Sequence, residues 1–144
     1  MDSACWRDLR RYKYQLTNSY TRKIPITPDS DPQTDFVTLT SGGVLNIRNH
    51  YAWDGPSGIT IDTESFMRGS LVHDALYQLM RLGKLDYEVH RKTADQILKD
   101  ICVEDGMWKF RAAYVHWFVR AFGKKHARPT DQPPDEITCM PPTP

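Results

Sequence analysis

The run His73-Asp74-Ala75-Leu76-Tyr77, with Asp95 in a later Ala94-Asp95 pair, sets an imidazole, two carboxylates and a phenol on two stretches of helical period. Imidazole is the side chain whose ordinary pKa suits it to act as a base near neutral pH. A carboxylate on one ring nitrogen fixes the tautomer and leaves the other nitrogen free. A second carboxylate can hold a hard cation, which stabilises a developing oxyanion. Brought together, these groups are equipped for hydrolysis by an activated water.

Their spacing says which elements must do the positioning. His73 and Tyr77 are four apart and share a helix face, while Asp74 is turned about 100 degrees toward the flank and can serve a different partner. Helical period starts near Thr63, with Asp62, Thr63 and Glu64 as cap and first-turn charge, and runs to Gly83 with Phe66, Leu71, Ala75, Leu79 and Leu82 on an apolar stripe. A second helix is expected over roughly 89–103, and the short connection between the two makes them antiparallel. Tyr77 lies six residues before Gly83 and Asp95 about six into the second helix, so the hairpin brings Asp95 level with His73 and Tyr77. Asp74 then faces elsewhere, toward oxygens that a curled, glycine-rich loop can offer as backbone carbonyls. Trp53-Asp54-Gly55-Pro56-Ser57-Gly58 is such a loop.

Upstream, Tyr12/Tyr14/Leu16, Ile24/Ile26, Val37/Leu39 and Leu45/Ile47 each alternate with period two, and Ser41-Gly42-Gly43 is a good hairpin turn. Downstream, the stretch 107–122 carries Trp108, Phe110, Tyr114, Trp117, Phe118 and Phe122. Six rings at helical spacing predict core against a neighbouring sheet or helix pair. The fold class is therefore α+β: a small N-terminal antiparallel sheet, then a three-helix layer whose antiparallel pair carries the site. Its 144 residues suit one domain, taken as 1–128, followed by a flexible proline-rich tail over 129–144.

Composition narrows the classes. The net charge is +1, yet between Met107 and Thr130 stand six cations and no acid, a stretch that prefers an anionic neighbour. Arg111, Arg120, Lys124 and Lys125 could meet lipid phosphates, nucleic acid or an acidic protein, and nothing in the pattern singles out nucleic acid. Cysteines at 5, 102 and 139 are widely spaced and match no zinc pattern, which predicts reduced thiols. No stretch is apolar enough to span a bilayer and no signal peptide is read at the N-terminus. His50, His90, His116 and His126 have no metal-ligand spacing, and dinucleotide, Walker, serine-elbow and EF-hand patterns are missing.

Two resemblances follow from these residues. The helix motif HDxxY, the preceding glycine loop and the later Gly83, Tyr87 and Ala94-Asp95-Gln96 resemble the calcium-dependent phospholipase A2 superfamily, most closely the phospholipase domains of parvovirus capsid proteins. The D-G-x-S loop, the HDxLY helix, Arg91-x-x-Ala94-Asp95 and the final aromatic helix are similar to a phage-associated family called domain of unknown function thirteen fifty-three. The first resemblance implies His73 as base, Asp95 as its orienting partner and Tyr77 as support for Asp95. It implies calcium held by Asp74 and by the carbonyls of Trp53, Gly55 and Ser57, with the Gly55 N–H helping to stabilise the oxyanion. The substrate implied is the sn-2 ester of a phospholipid; for the basic aromatic helix, a face toward phospholipid or a membrane surface is the alternative to its serving as core. This chain departs from the pattern in lacking the disulfides of the secreted enzymes, in Ser57 for a glycine, and in Asp54, either a further metal ligand or a turn cap. The second resemblance implies a phage-encoded protein of host cytoplasm or virion. Two alternatives stay open: a non-enzymatic virion or host-interaction protein, and a metal-dependent phosphodiesterase using the same residues.

Overall fold

The computed structural model describes residues 14–53 and 64–129, together with the strand pairing of Ala4–Arg7 with Ile137–Met140. The chain is α+β, with antiparallel strands preceding helices. Strands β1 (Ala4–Arg7), β2 (Tyr14–Gln15), β3 (Tyr20–Lys23), β4 (Val37–Leu39), β5 (Val44–Ile47) and β6 (Ala52–Trp53) come first. Helices α1 (Glu64–Arg81), α2 (Tyr87–Glu104), α3 (Lys109–Phe122) and α4 (Lys124–Ala127) follow, and β7 (Ile137–Met140) comes last.

The strands form a three-stranded sheet in the order β3-β5-β4 and two separate pairs, β2-β6 and β1-β7, all antiparallel. The β4–β5 hairpin turns at Ser41-Gly42-Gly43, where Gly43 takes φ +86° and the Thr40 hydroxyl accepts from the Val44 N–H. Ile24 and Ile26, expected to lie in a strand, are buried just beyond β3 instead. Pro25 sits between them without an N–H to extend the ladder, and the Ile24 N–H makes the last such bond, to Gly43 O. Within the stretch read as a proline-rich tail, β7 sets Cys139 opposite Cys5 of β1 in the strand register.

The helices begin and end for local reasons. The Asp86 side chain accepts from the N–H groups of Glu88 and Val89, so α2 starts two residues before the expected Val89. Gly83 and Gly106, at φ +70° and +94°, close α1 and α2 with paired bonds: Lys84 N–H to Leu79 O with Gly83 N–H to Met80 O, and Met107 N–H to Cys102 O with Gly106 N–H to Val103 O. Between these caps α1 and α2 run antiparallel. Gly69 abuts Leu98 and Cys102, His73 meets Asp95, and Tyr77 meets Arg91, so rising numbers on one helix match falling numbers on the other. A Cβ on Gly69 would come within 3.0 Å of Cys102 Sγ and Leu98 Cδ1, which shows how close the two helices lie at this crossing.

The main core joins Val37, Leu39, Leu45 and Ile47 of the sheet to Val72, Leu76, Leu79 and Met80 of α1. A second cluster, Phe66, Leu98, Cys102, Met107, Ala112 and Val115, fastens α3 to the helix pair. Here the expectation for the aromatic helix is overturned. Its buried residues are the small Ala112 and Val115, while Trp108 is 82% and Phe110 86% exposed and Tyr114, Trp117 and Phe122 are also exposed. The close approach of α3 to the pair admits small side chains, and the large rings take the opposite face. Among the described residues no helix is long and apolar enough to cross a membrane.

Candidate functional site

The site is built where the α1–α2 seam becomes polar. Ser70, His73 and Tyr77 lie at i, i+3 and i+7 on α1, one continuous face, and the His73 and Tyr77 rings pack with centroids 4.0 Å apart. Across the seam Asp95, with no solvent-exposed surface, meets both. Its Oδ1 is 2.7 Å from His73 Nε2 and 2.6 Å from the Tyr77 hydroxyl. A carboxylate can only accept, so Nε2 and the phenol are the donors, and Nδ1 is the nitrogen left with a free lone pair when the ring is neutral.

The opposite oxygen of the carboxylate is also engaged. Arg120 of α3 donates from Nη1 to Asp95 Oδ2 at 2.9 Å, and Arg91, one turn before Asp95, lies 3.9 Å from the same oxygen. Arg91 also donates from Nε to the Tyr77 hydroxyl (3.2 Å) and from Nη2 to the carbonyls of Val119 and Arg120 (2.7 and 2.8 Å). Those carbonyls belong to the last turn of α3, whose negative end a guanidinium suits. Gly123 closes the arrangement: a Cβ there would lie 2.5 Å from Val119 O and 2.8 Å from the Tyr77 hydroxyl.

These contacts set the charges. For Asp95, burial alone would raise the carboxyl pKa, but the hydrogen bonds from His73, Tyr77 and Arg120 outweigh it and hold the group below the usual range. Burial pulls His73 down, yet the Asp74 and Asp95 carboxylates prevail and it titrates above an ordinary histidine. Burial, with the charge of Asp95 added, pushes the Tyr77 phenol well above its ordinary value, so it remains a donor.

No match to this chain is found among protein-family models, curated proteins or solved structures.

The metal-ligating residues expected from the sequence fall in two groups. Asp74 is on the flank of α1, partly exposed, with Oδ1 3.9 Å from His73 Nδ1, beyond hydrogen-bond reach. It is thus beside the free nitrogen rather than turned wholly away from it. Trp53 ends β6, and its indole N–H donates to Ser70 Oγ at 3.1 Å, one turn from His73 and Asp74. This bond pins the entry of the glycine-rich loop to the face that carries the imidazole. Asp54, Gly55 and Ser57 lie outside the described residues. Among the described residues no three His, Cys, Asp or Glu side chains cluster as metal ligands, and Asp74 is the single carboxylate that the fold leaves for a cation beside His73.

Ser70 and Gly123 have no part in the site read from the sequence, Arg91 enters there only within a motif, and Arg120 only as a surface cation. For Arg91 the signal was present, four residues before Asp95 on one helix. Arg120 reaches its partner from another helix, and no local pattern encodes that contact. Gly123 reads in sequence as a helix stop, and its second role, making room for Tyr77, needs the third dimension.

Proposed function

We propose that the chain is a calcium-dependent, phospholipase A2-like ester hydrolase acting on phospholipid, with His73 as base and Asp95 as its orienting partner. One observation carries the reading: Nε2 of His73 is spent on a buried carboxylate, while Nδ1 makes no hydrogen bond among the described residues and lies 3.9 Å from Asp74 Oδ1. In this reading neutral His73 takes a proton at Nδ1 from a water whose oxygen attacks the ester carbonyl. Asp95 stabilises the imidazolium that results, and Tyr77 and Arg120 keep the carboxylate from rotating. The proton then passes to the leaving alkoxide as the ester C–O bond breaks.

Asp74 fits the need of a hard cation for an anionic oxygen, and the carbonyls of Trp53, Gly55 and Ser57 are the partners that the superfamily resemblance supplies, with Asp54 as a possible addition. Bound there, calcium supplies positive charge to the carbonyl oxygen of the ester. A lipid substrate is favoured by the outward face of α3, where exposed rings alternate with Lys109, Lys124 and Lys125 nearby. Phage origin rests on the sequence resemblance alone.

The test is release of fatty acid from phosphatidylcholine in mixed micelles, with calcium and with a chelator. Activity that needs calcium and falls at least about 100-fold in His73→Gln, with an unchanged circular dichroism spectrum, is the expected result. Full activity in His73→Gln removes His73 as base. A non-catalytic reading has its own support, since Asp95 with His73, Tyr77, Arg91 and Arg120 is a satisfied buried ion network of the sort that fixes a helix pair. It predicts no turnover of lipid or nucleotide esters with any divalent metal.

A further inference from the structure

Beside the Asp95 network, whose Arg91 and Arg120 it shares, α2 meets the α3–α4 junction in an open cavity of about 230 Å³. Its walls are Tyr87, Glu88, Arg91, Lys92, Arg120 and Lys124: four cations against one carboxylate. Both arginines are held in place. Arg91 is fixed by Tyr77 and by two α3 carbonyls, and Arg120 gives Nη1 to Asp95. Arg120 keeps Nε and Nη2 free of protein hydrogen bonds among the described residues, an edge with the fork spacing that suits two oxygens of one oxyanion. Lys92 and Lys124, both exposed, have no ion-pair partner among the described residues. Concentrating like charges in one concavity costs stability through repulsion unless a counter-ion is bound, and a cleft lined by one sign focuses the field on such a ligand.

We propose that this cavity is a binding site for a phosphoryl group, taken on the free edge of Arg120 and closed by Lys92 and Lys124. The arginine supplies directional hydrogen bonds and the two lysines supply charge on flexible stems, a division of labour that suits a tetrahedral anion. Tyr87 lends a ring to the wall and Glu88 limits the net charge. Because Arg120 binds Asp95 with its other edge, an occupant shares that guanidinium with the buried carboxylate. The phosphoryl group can arrive as free phosphate or on a lipid headgroup, since the recognising chemistry is the same. The site does not depend on the hydrolase reading, which is tested by fatty-acid release rather than by binding.

The experiment is titration calorimetry of the full chain with inorganic phosphate at constant ionic strength, set beside co-sedimentation with phosphatidylcholine vesicles with and without phosphatidic acid. The Lys92→Ala/Lys124→Ala double variant and Glu88→Gln are run in parallel. Saturable binding of phosphate that weakens at least tenfold in the double variant and tightens in Glu88→Gln supports a free oxyanion. Phosphatidate-dependent sedimentation that the double variant loses, without binding of inorganic phosphate, supports a lipid-borne one. Both variants change exposed side chains, and their melting temperatures check that the fold persists. No binding in either arm overturns the proposal. So does binding that the double variant leaves unchanged.

Discussion

The α1–α2 seam and the outer face of α3 treat their side chains in opposite ways. The seam buries a carboxylate, a histidine and an arginine, with Asp95 fully and His73 93% removed from solvent, while α3 and its N-cap Trp108 leave five large rings in water. Between these two regions, burial follows complementarity more than polarity. Each buried polar group of the seam has a partner: Asp95 accepts on both oxygens, Tyr77 both donates and accepts, and Arg91 spends two nitrogens on three acceptors. The rings of α3 have the opposite problem. Burying a large apolar side chain is worth roughly 1.5–3 kcal/mol, and the fold forgoes that gain at five positions. Exposed apolar surface of this kind is what contact faces commonly present, and lipid is the contact proposed for it here.

The sharpest way to break the contrast is to remove the acceptor at its centre. Asp95→Ala leaves His73, Tyr77 and Arg120 facing a void, and it should cost about 3–5 kcal/mol in urea unfolding, the range for one lost partner of a buried ion pair. Loss of less than about 1 kcal/mol would mean that the network contributes little and that water readily replaces Asp95. A smaller insult works from outside the ion pairs. Gly123→Ala forces a methyl against Val119 O and the Tyr77 hydroxyl, and overpacking of this kind costs about 1–3 kcal/mol. If the hydrolase reading is right, fatty-acid release falls further in this variant than stability alone explains, because the displaced phenol no longer holds Asp95.

Much of the seam was legible in the sequence. The four-residue spacing of His73 and Tyr77, the short Gly83 connection and the position of Asp95 in the second helix suffice to set those three side chains at one level, because helix geometry is rigid and hairpins are short. The β4–β5 hairpin was readable for a similar reason, since its turn residues act locally. What escaped depends on contacts that join distant parts of the chain. Arg120 meets Asp95 from 25 residues away, and β7 pairs with the first strand of the chain. The period of α3 showed that its rings share faces, but which face the helix pair would accept was decided by the tight fit at Ala112 and Val115. Ile24 and Ile26 alternate as a strand does, and the proline between them ends the pairing all the same.

The charges of the seam give a pH signature that sharpens the contrast further. His73 titrates above its unfolded value of about 6.5, so its contribution to stability is complete below that pH and is lost as pH rises through the folded pKa. Asp95 titrates below its unfolded value of about 3.9, so its contribution is present above that pH and is lost as pH falls through the folded pKa. Stability from the pair should therefore be greatest between about pH 4 and 6.5. Urea midpoints should drop between pH 6 and pH 9, and His73→Gln should flatten that drop. Activity should run the other way, since a base works only when neutral: release of fatty acid should climb over the pH range in which stability declines. A midpoint independent of pH on the alkaline side would show that His73 gains nothing from its two carboxylates.

The least effect on stability, and the clearest separation of the two regions, is expected on α3. Trp108→Ser and Trp117→Ser change exposed rings that the core does not use, so urea midpoints should move by no more than the equivalent of about 0.5 kcal/mol. The same substitutions should lower binding to phosphatidylcholine vesicles several-fold, because indoles at a bilayer interface contribute apolar area while the neighbouring cations remain. Hydrolysis of a short-chain ester dissolved as monomers should be unaffected, whereas hydrolysis of the same ester presented in vesicles should fall in step with binding. That pair of assays isolates the face from the seam. A loss on monomeric ester would mean that α3 acts through Arg120 on Asp95, and a loss of neither binding nor vesicle turnover would return the rings to some partner other than lipid.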